Sequence, residues 1–322
     1  MAAAIATYAG FLGYLVENYE PIAWAEELIE PALAVDHPRL AFLYVMASQC
    51  STTGRIEDAV RYSEAGQMAT RSGRGEVPLG LQALLNAAYL MIGEPKRAVE
   101  LFRAQLAGAR DTHVFARTGL LIALVTAGFD GEAMAAATGL IDAAEATHNP
   151  WRLSYALLAY GLAFRDADPD RAREALRRGL IVAQDSGNRG NETHVAGALA
   201  HIEAKHGDPL AALEYLTLAI RNYHDSGNTT HIRPPLAVLA TLFDRLGRPE
   251  SAATIAGFAL NPLTVLTSPE ISTAIAHLRE VLGDQTYETL ARKGETMTTA
   301  AMATYAYDQI DQARAELNAV SK

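Results

Sequence analysis

Apolar residues recur at three- and four-residue spacing along most of the chain, in stretches of about four turns such as Ala41 to Thr52 and Thr193 to His206. Sustained period-two alternation of Val, Ile and aromatics is nearly absent, so the pattern predicts helices and almost no strand. Each helical stretch is closed by a small residue with Ala five positions on: Gly54/Ala59, Gly93/Ala98, Gly128/Ala133, Ala167/Ala172, Gly207/Ala212 and Gly247/Ala252. Successive spacings are 39, 35, 39, 40 and 40 residues. A Gly in that place ends a helix in the left-handed conformation without a Cβ penalty. Glu94-Pro95, Asp168-Pro169 and Asp208-Pro209 then set a capping carboxylate before a Pro at the first helical position. Asp185-Ser-Gly-Asn188 and Asp225-Ser-Gly-Asn228, 40 residues apart, are helix stops with turn chemistry.

The predicted unit is therefore helix A, a tight turn, helix B and a short polar loop. Such a hairpin cannot bury both its apolar faces alone, whereas stacked hairpins share one continuous core. The expected fold class is all-α: a leading hairpin cap over 1–37, six repeats over 38–267, and a helical cap over 268–322, forming one continuous curved superhelix. The closing segment breaks the rhythm, with helices expected over Pro269 to Leu282, Gln285 to Arg292 and Met297 to about Asn318.

The 322 residues are 50% apolar and 20% charged, which excludes disordered, collagenous and disulfide-framework classes. A net charge of −10 supplies no global positive field toward nucleic acid or an anionic membrane. A lone Cys50 cannot form an internal disulfide and fits a reducing compartment, so the cytoplasm is the expected location. The start lacks the basic region of a signal peptide, and the longest apolar run, Thr118 to Phe129, is short of a membrane span. The glycosylation sequons at Asn191 and Asn228 read as chance matches in that setting.

Catalytic patterns are missing. There is no Gly-x4-Gly-Lys-Ser/Thr phosphate loop, no Gly-x-Ser-x-Gly elbow, no Cys-x-x-Cys pair and no His-Glu-x-x-His helix. The run Asp166 to Asp170 sits at a helix turn and reads as capping rather than metal binding. His201 and His206 diverge by about 140° on a helix, and His194 and His201 lie roughly 10 Å apart along it, so no metal site is expected. Cys50 has no basic neighbour in sequence to make it a thiolate. No cofactor is called for.

The Gly-x4-Ala signature, with Met46-Ala47, Leu199-Ala200 and Leu239-Ala240 before it and Phe102 in an aromatic slot, resembles the tetratricopeptide repeat. The helix A Trp is missing and the period is nearer 40 than 34. A tighter resemblance is to the C-terminal repeat region of mycobacterial multidomain regulators, which join a class III adenylate or guanylate cyclase, a P-loop ATPase and such repeats in the manner of LuxR-type and maltose-regulator-like proteins. It is carried by Trp24 to Pro31, His37 to Ala41, Gly139 to Trp151, Tyr215 to Asn228 and Gly283 to Met297. The cyclase, ATPase and DNA-binding domains of that family have no counterpart in this sequence. The resemblance implies a right-handed α-solenoid of tetratricopeptide-like hairpins, standing as the repeat arm alone.

It also implies that A helices line a concave wall, read at fixed offsets before each Gly position. Those offsets give a small, apolar stretch in repeats one and two. They give a basic strip of Arg165, His194, His201, Lys205 and Arg245 across repeats four to six. The plainer alternative is that these are ordinary solvated positions or pair with Glu203 and Asp244. A focused strip in a concave wall suits an acidic peptide, a carboxylate or a phosphate-bearing ligand. The expected function is a non-catalytic scaffold or sensor arm of a bacterial regulator, taking a protein partner or small anionic ligand in its groove. The rival is part of a cyclase or ATPase enzyme whose catalytic domains lie outside this chain. A transcription factor is disfavoured, because Met297 to Asn318 carries only Arg314 as a cation.

Overall fold

The turn chemistry divides into two kinds. Gly54, Gly93, Gly128 and Gly247 hold φ of 70–89°, the left-handed conformation that stops a helix without steric cost. In the computed structural model, which describes residues 1–73, 75, 77–108, 111 and 113–320, the other two turns work differently. Gly207 has no positive φ among the described glycines, and Ala167 takes its place one repeat earlier. At both, the next Asp takes over: Asp168 accepts from the Arg171 N–H and Asp208 from the Leu210 N–H. The predicted left-handed stop at Gly207 does not form: its N–H still donates to the Glu203 carbonyl, and the extended Asp208 then satisfies an orphan donor of the following helix.

The Ala of each signature has one role throughout. Ala59, Ala98, Ala133, Ala172, Ala212 and Ala252 are all fully buried, each in the first turn or two of a B helix where a larger side chain would hold the partner helix away.

The described residues form two units, 1–192 and 193–322, with no strand among them. The first contains α1 (Ala2–Val16), α2 (Glu20–Glu27), α3 (Ile29–Ala34), α4 (Leu40–Ala47), α5 (Ile56–Arg71), α6 (Leu84–Met91), α7 (Pro95–Gly108), α8 (Phe115–Thr126), α9 (Asp130–Ala136), α10 (Leu140–Glu145), α11 (Pro150–Phe164) and α12 (Pro169–Asp185). Neighbours in sequence pack as pairs: α4 on α5, α7 on α8 and α11 on α12. Its core runs from Leu40, Phe42 and Met46 through Leu81, Leu85 and Tyr89 to Leu121 and Leu140. Within this unit, Phe11 of α1 meets Trp151 of α11 edge-on, and Trp151 stacks with Phe115 and Tyr155. Glu17 lies 3.5 Å from Arg189.

The second unit follows from α13 (Arg189–His206), whose first turn carries the division, with α14 (Pro209–Ser226), α15 (Arg233–Arg245), α16 (Pro249–Ala259), α17 (Pro262–Thr267), α18 (Glu270–Leu282), α19 (Asp284–Glu295) and α20 (Thr299–Val320). Here the closing helices pack back on the repeats: α18 on α15 and α16, α19 on α16, and α20 on α14. Leu216, Ile220, Leu239, Phe243, Ile255 and Met302 fill the core between them. No helix among the described residues is long and apolar enough to cross a membrane.

Candidate functional site

Three elements of the second unit meet at one place: the last turns of α13, the far end of α15, and the turn from α17 into α18. His201 and Lys205 lie four residues apart on α13 and so project from one face. Arg245 ends α15, and its Nη1 donates to the carbonyl of Ala204. A cation there satisfies an otherwise orphan carbonyl at the C-terminus of α13, where the helix dipole favours positive charge. Glu270 opens α18 and brings a carboxylate to the same spot: its Oε1 accepts from Lys205 Nζ at 2.7 Å and lies 3.5 Å from His201 Nε2.

Around these groups is a cavity of about 90 Å³ lined by His201, Ala204, Lys205, Val238, Thr241, Leu242, Arg245, Ser268 and Glu270. One wall is aliphatic and the rim is charged. His201 and Lys205 together hold the Glu270 carboxyl far below the usual carboxylate range, His201 contributing most, against the opposing effect of burial. Its second oxygen, Oε2, is buried and accepts no hydrogen bond. The site thus gathers up to three cationic side chains around one carboxylate beside unfilled apolar space.

Of the five residues selected by offset, the structure brings these three together. His194 goes elsewhere: it shares a 2.6 Å hydrogen bond with the Tyr223 hydroxyl and packs edge-on against His231, with ring centroids 5.3 Å apart. The residue is half-buried, and the surrounding protein strips the imidazole of water. Desolvation pushes its pKa down to about 4, so it adds no positive charge near neutrality. His231 follows the same logic, pushed down to about 3 by burial and then by His194. Arg165 belongs to the first unit, at the C-terminus of α11, where Nε lies 3.3 Å from Asp166.

The acidic groups nearby take several partners. Glu203 accepts from the Asp208 N–H at its own helix turn, and Asp244 pairs with His277 at 2.8 Å. The carboxylate that matters, Glu270, stands outside the repeats. The one signal for it was Ser268-Pro269-Glu270, a helix start placed where a seventh A helix would begin. Val238 and Leu242 escaped because they fall one position beside the groove offsets. Cys50 is buried, and burial pushes its thiol up to about 12, which leaves it protonated and unreactive.

The fold is an all-α solenoid of paired helices. The chain matches 23 chains of solved structures, among them the crystal structure of Rap protein complexed with competence and sporulation factor, with a TM-score of 0.51 and 12% identity over 96% of this chain and 84% of that one. At that identity the likeness is one of fold. No family model matches the chain, and no curated protein matches it in sequence.

Proposed function

We propose that this chain is a non-catalytic helical-repeat interaction scaffold, the sensor arm of a signalling or transcriptional regulator, and that the pocket between α13, α15 and α18 takes an anionic group of its protein partner or small ligand. The observation that carries this is the convergence of His201, Lys205 and Arg245 on a partly empty, aliphatic-walled cavity. Cations on rigid helices beside apolar surface offer both charge and a place to bury the rest of an anchoring group. A protein of similar fold is complexed with competence and sporulation factor, which supports a binding role. The resemblance to cyclase- and ATPase-linked regulators supports placing the output in a partner or in domains beyond these residues.

The test is fluorescence polarisation with labelled acidic peptides against wild type, Lys205→Glu and Arg245→Gln. Lys205→Glu is expected to weaken binding at least tenfold, the effect of removing a charge-assisted contact and adding a repulsive one. Equal affinity across the three proteins removes the pocket from the account. Nucleotide turnover by the purified chain, abolished by a point mutation, would replace the scaffold reading with the enzymatic one.

A further inference from the structure

In the second unit the cations that would receive a ligand's anion already hold one. Glu270 reaches them from the first turn of α18, 65 residues beyond Lys205 in the chain, and binds through one oxygen only. Its other oxygen is buried without a hydrogen bond, and its side chain remains 28% exposed. An internal ion pair built for stability alone would satisfy both oxygens, since each unpartnered buried acceptor carries a desolvation cost. Beside the carboxylate, the space against Ala204, Val238 and Leu242 stays unfilled. About 90 Å³ is far below the few hundred Å³ of a small-molecule site but equals the room of roughly three waters, enough for one short aliphatic side chain.

We infer that Glu270 is an intramolecular stand-in for the ligand, and that the ligand is a carboxylate joined to a short aliphatic side chain: the carboxylate takes Lys205 and His201 in exchange for Glu270, and the side chain enters the adjoining cavity. This rests on the pocket reading given above and adds to it the class of ligand and the means of its control. A carboxylate fits better than a phosphate because the resident group is itself a planar two-oxygen acceptor. The entering group can also turn its second oxygen to Arg245, which lines the same cavity and spends Nη1 on the Ala204 carbonyl. Because Glu270 is tethered, it competes at high effective concentration, and the apparent affinity for any outside carboxylate falls by the fraction of time the site is open. Binding displaces the first turn of α18 from α13, so occupancy is reported to the closing helices.

The full chain with isotopically labelled histidine is titrated with N-acetyl-leucine, N-acetylglycine, N-acetyl-leucinamide and inorganic phosphate, and the His201 ring signals are followed by NMR. The variants are Glu270→Ala, Glu270→Gln and Lys205→Glu. Glu270→Gln keeps the side-chain volume should the Ala variant fold poorly. Both Glu270 variants are expected to bind N-acetyl-leucine about tenfold tighter than wild type or better. N-acetylglycine is expected to bind more weakly, the amide and Lys205→Glu to show no binding, and phosphate to bind more weakly than N-acetyl-leucine. Unchanged affinity in both Glu270 variants overturns the stand-in, and equal binding of the amide or of phosphate overturns the ligand class. In either case, acidic peptides that still bind wild type and fail on Lys205→Glu leave the pocket reading intact. If no carboxylate and no acidic peptide binds any variant, both readings fall.

Discussion

Gly257 on α16 and Gly294 on α19 let two helix backbones meet without side chains between them. A Cβ on Gly257 would fall inside the van der Waals shell of the Ala291 carbonyl, and one on Gly294 inside that of the Thr254 carbonyl. Backbone atoms in packed helices cannot step aside as a side-chain tip can. Gly294→Ala should therefore destabilise the second unit by about 3 kcal/mol or more, whereas Gly161→Ala, whose nearest neighbours are side-chain atoms of Leu176 that can shift, should cost about 1–2 kcal/mol. Urea midpoints of the two variants check the order; a milder Gly294→Ala would mean that the α16–α19 contact yields.

The Phe11–Trp151 contact ties the first helix to a residue far along the first unit, at 5.5 Å between ring centroids and 79° between planes. Phe11→Ala and Trp151→Ala are each expected to cost roughly 3 kcal/mol. The double mutant should cost less than the sum, by about 1 kcal/mol, the coupling typical of an edge-to-face pair. Chemical unfolding of the four proteins measures it, and strict additivity would deny the contact.

Stability should fall in mildly acidic buffer because of His194 and His231. Both are held neutral in the folded chain, with pKa values pushed down to about 4 and about 3, while in the unfolded chain each titrates near 6.5. Between those values the unfolded state binds more protons, so stability rises with pH and is lost as pH drops below about 6.5. The slope approaches about 1.4 kcal/mol per pH unit for each imidazole at most. Replacing His231 by Gln should flatten the profile between pH 6 and 4. A profile equally steep in the variant would assign the slope to other groups.

Glu270 acts in the same direction but lower in the range. Its folded pKa is depressed by His201 and Lys205, so its contribution is complete above the ordinary carboxylate value near 4.3 and fades as pH falls toward the depressed folded value. The difference in stability between wild type and Glu270→Gln, expected at about 1 kcal/mol at pH 7, should shrink steadily below pH 4. A difference constant down to pH 2 would contradict the ion pair.

What could be read in advance was local. The period, the helix starts at Pro169 and Pro209 and the buried Ala of each signature depend on residues within one turn of each other, so they are written in the sequence. That His201 and Lys205 share a face was legible because helical spacing alone decides it. The groove offsets do not register the burial that desolvates His194, to which Tyr223 and His231, contributed by the next helix and its loop, are neighbours. They were silent on Glu270, because its pairing with Lys205 spans 65 residues and its helix lacks the repeat signature. Arg245 illustrates both sides: its position was legible, but its bond to the Ala204 carbonyl required knowing how α15 packs on α13.

The joining of α1 to Trp151 has a practical consequence for anyone trimming this protein. Repeats of this kind invite cutting at a hairpin border, and the border before Leu40 looks natural. A chain begun there would lose Phe11 and Tyr14 and leave the Phe115–Trp151–Tyr155 stack facing water, an adhesive patch on a fragment meant to be minimal. The smallest well-behaved version of the first unit keeps its opening sixteen residues, whatever the periodicity suggests.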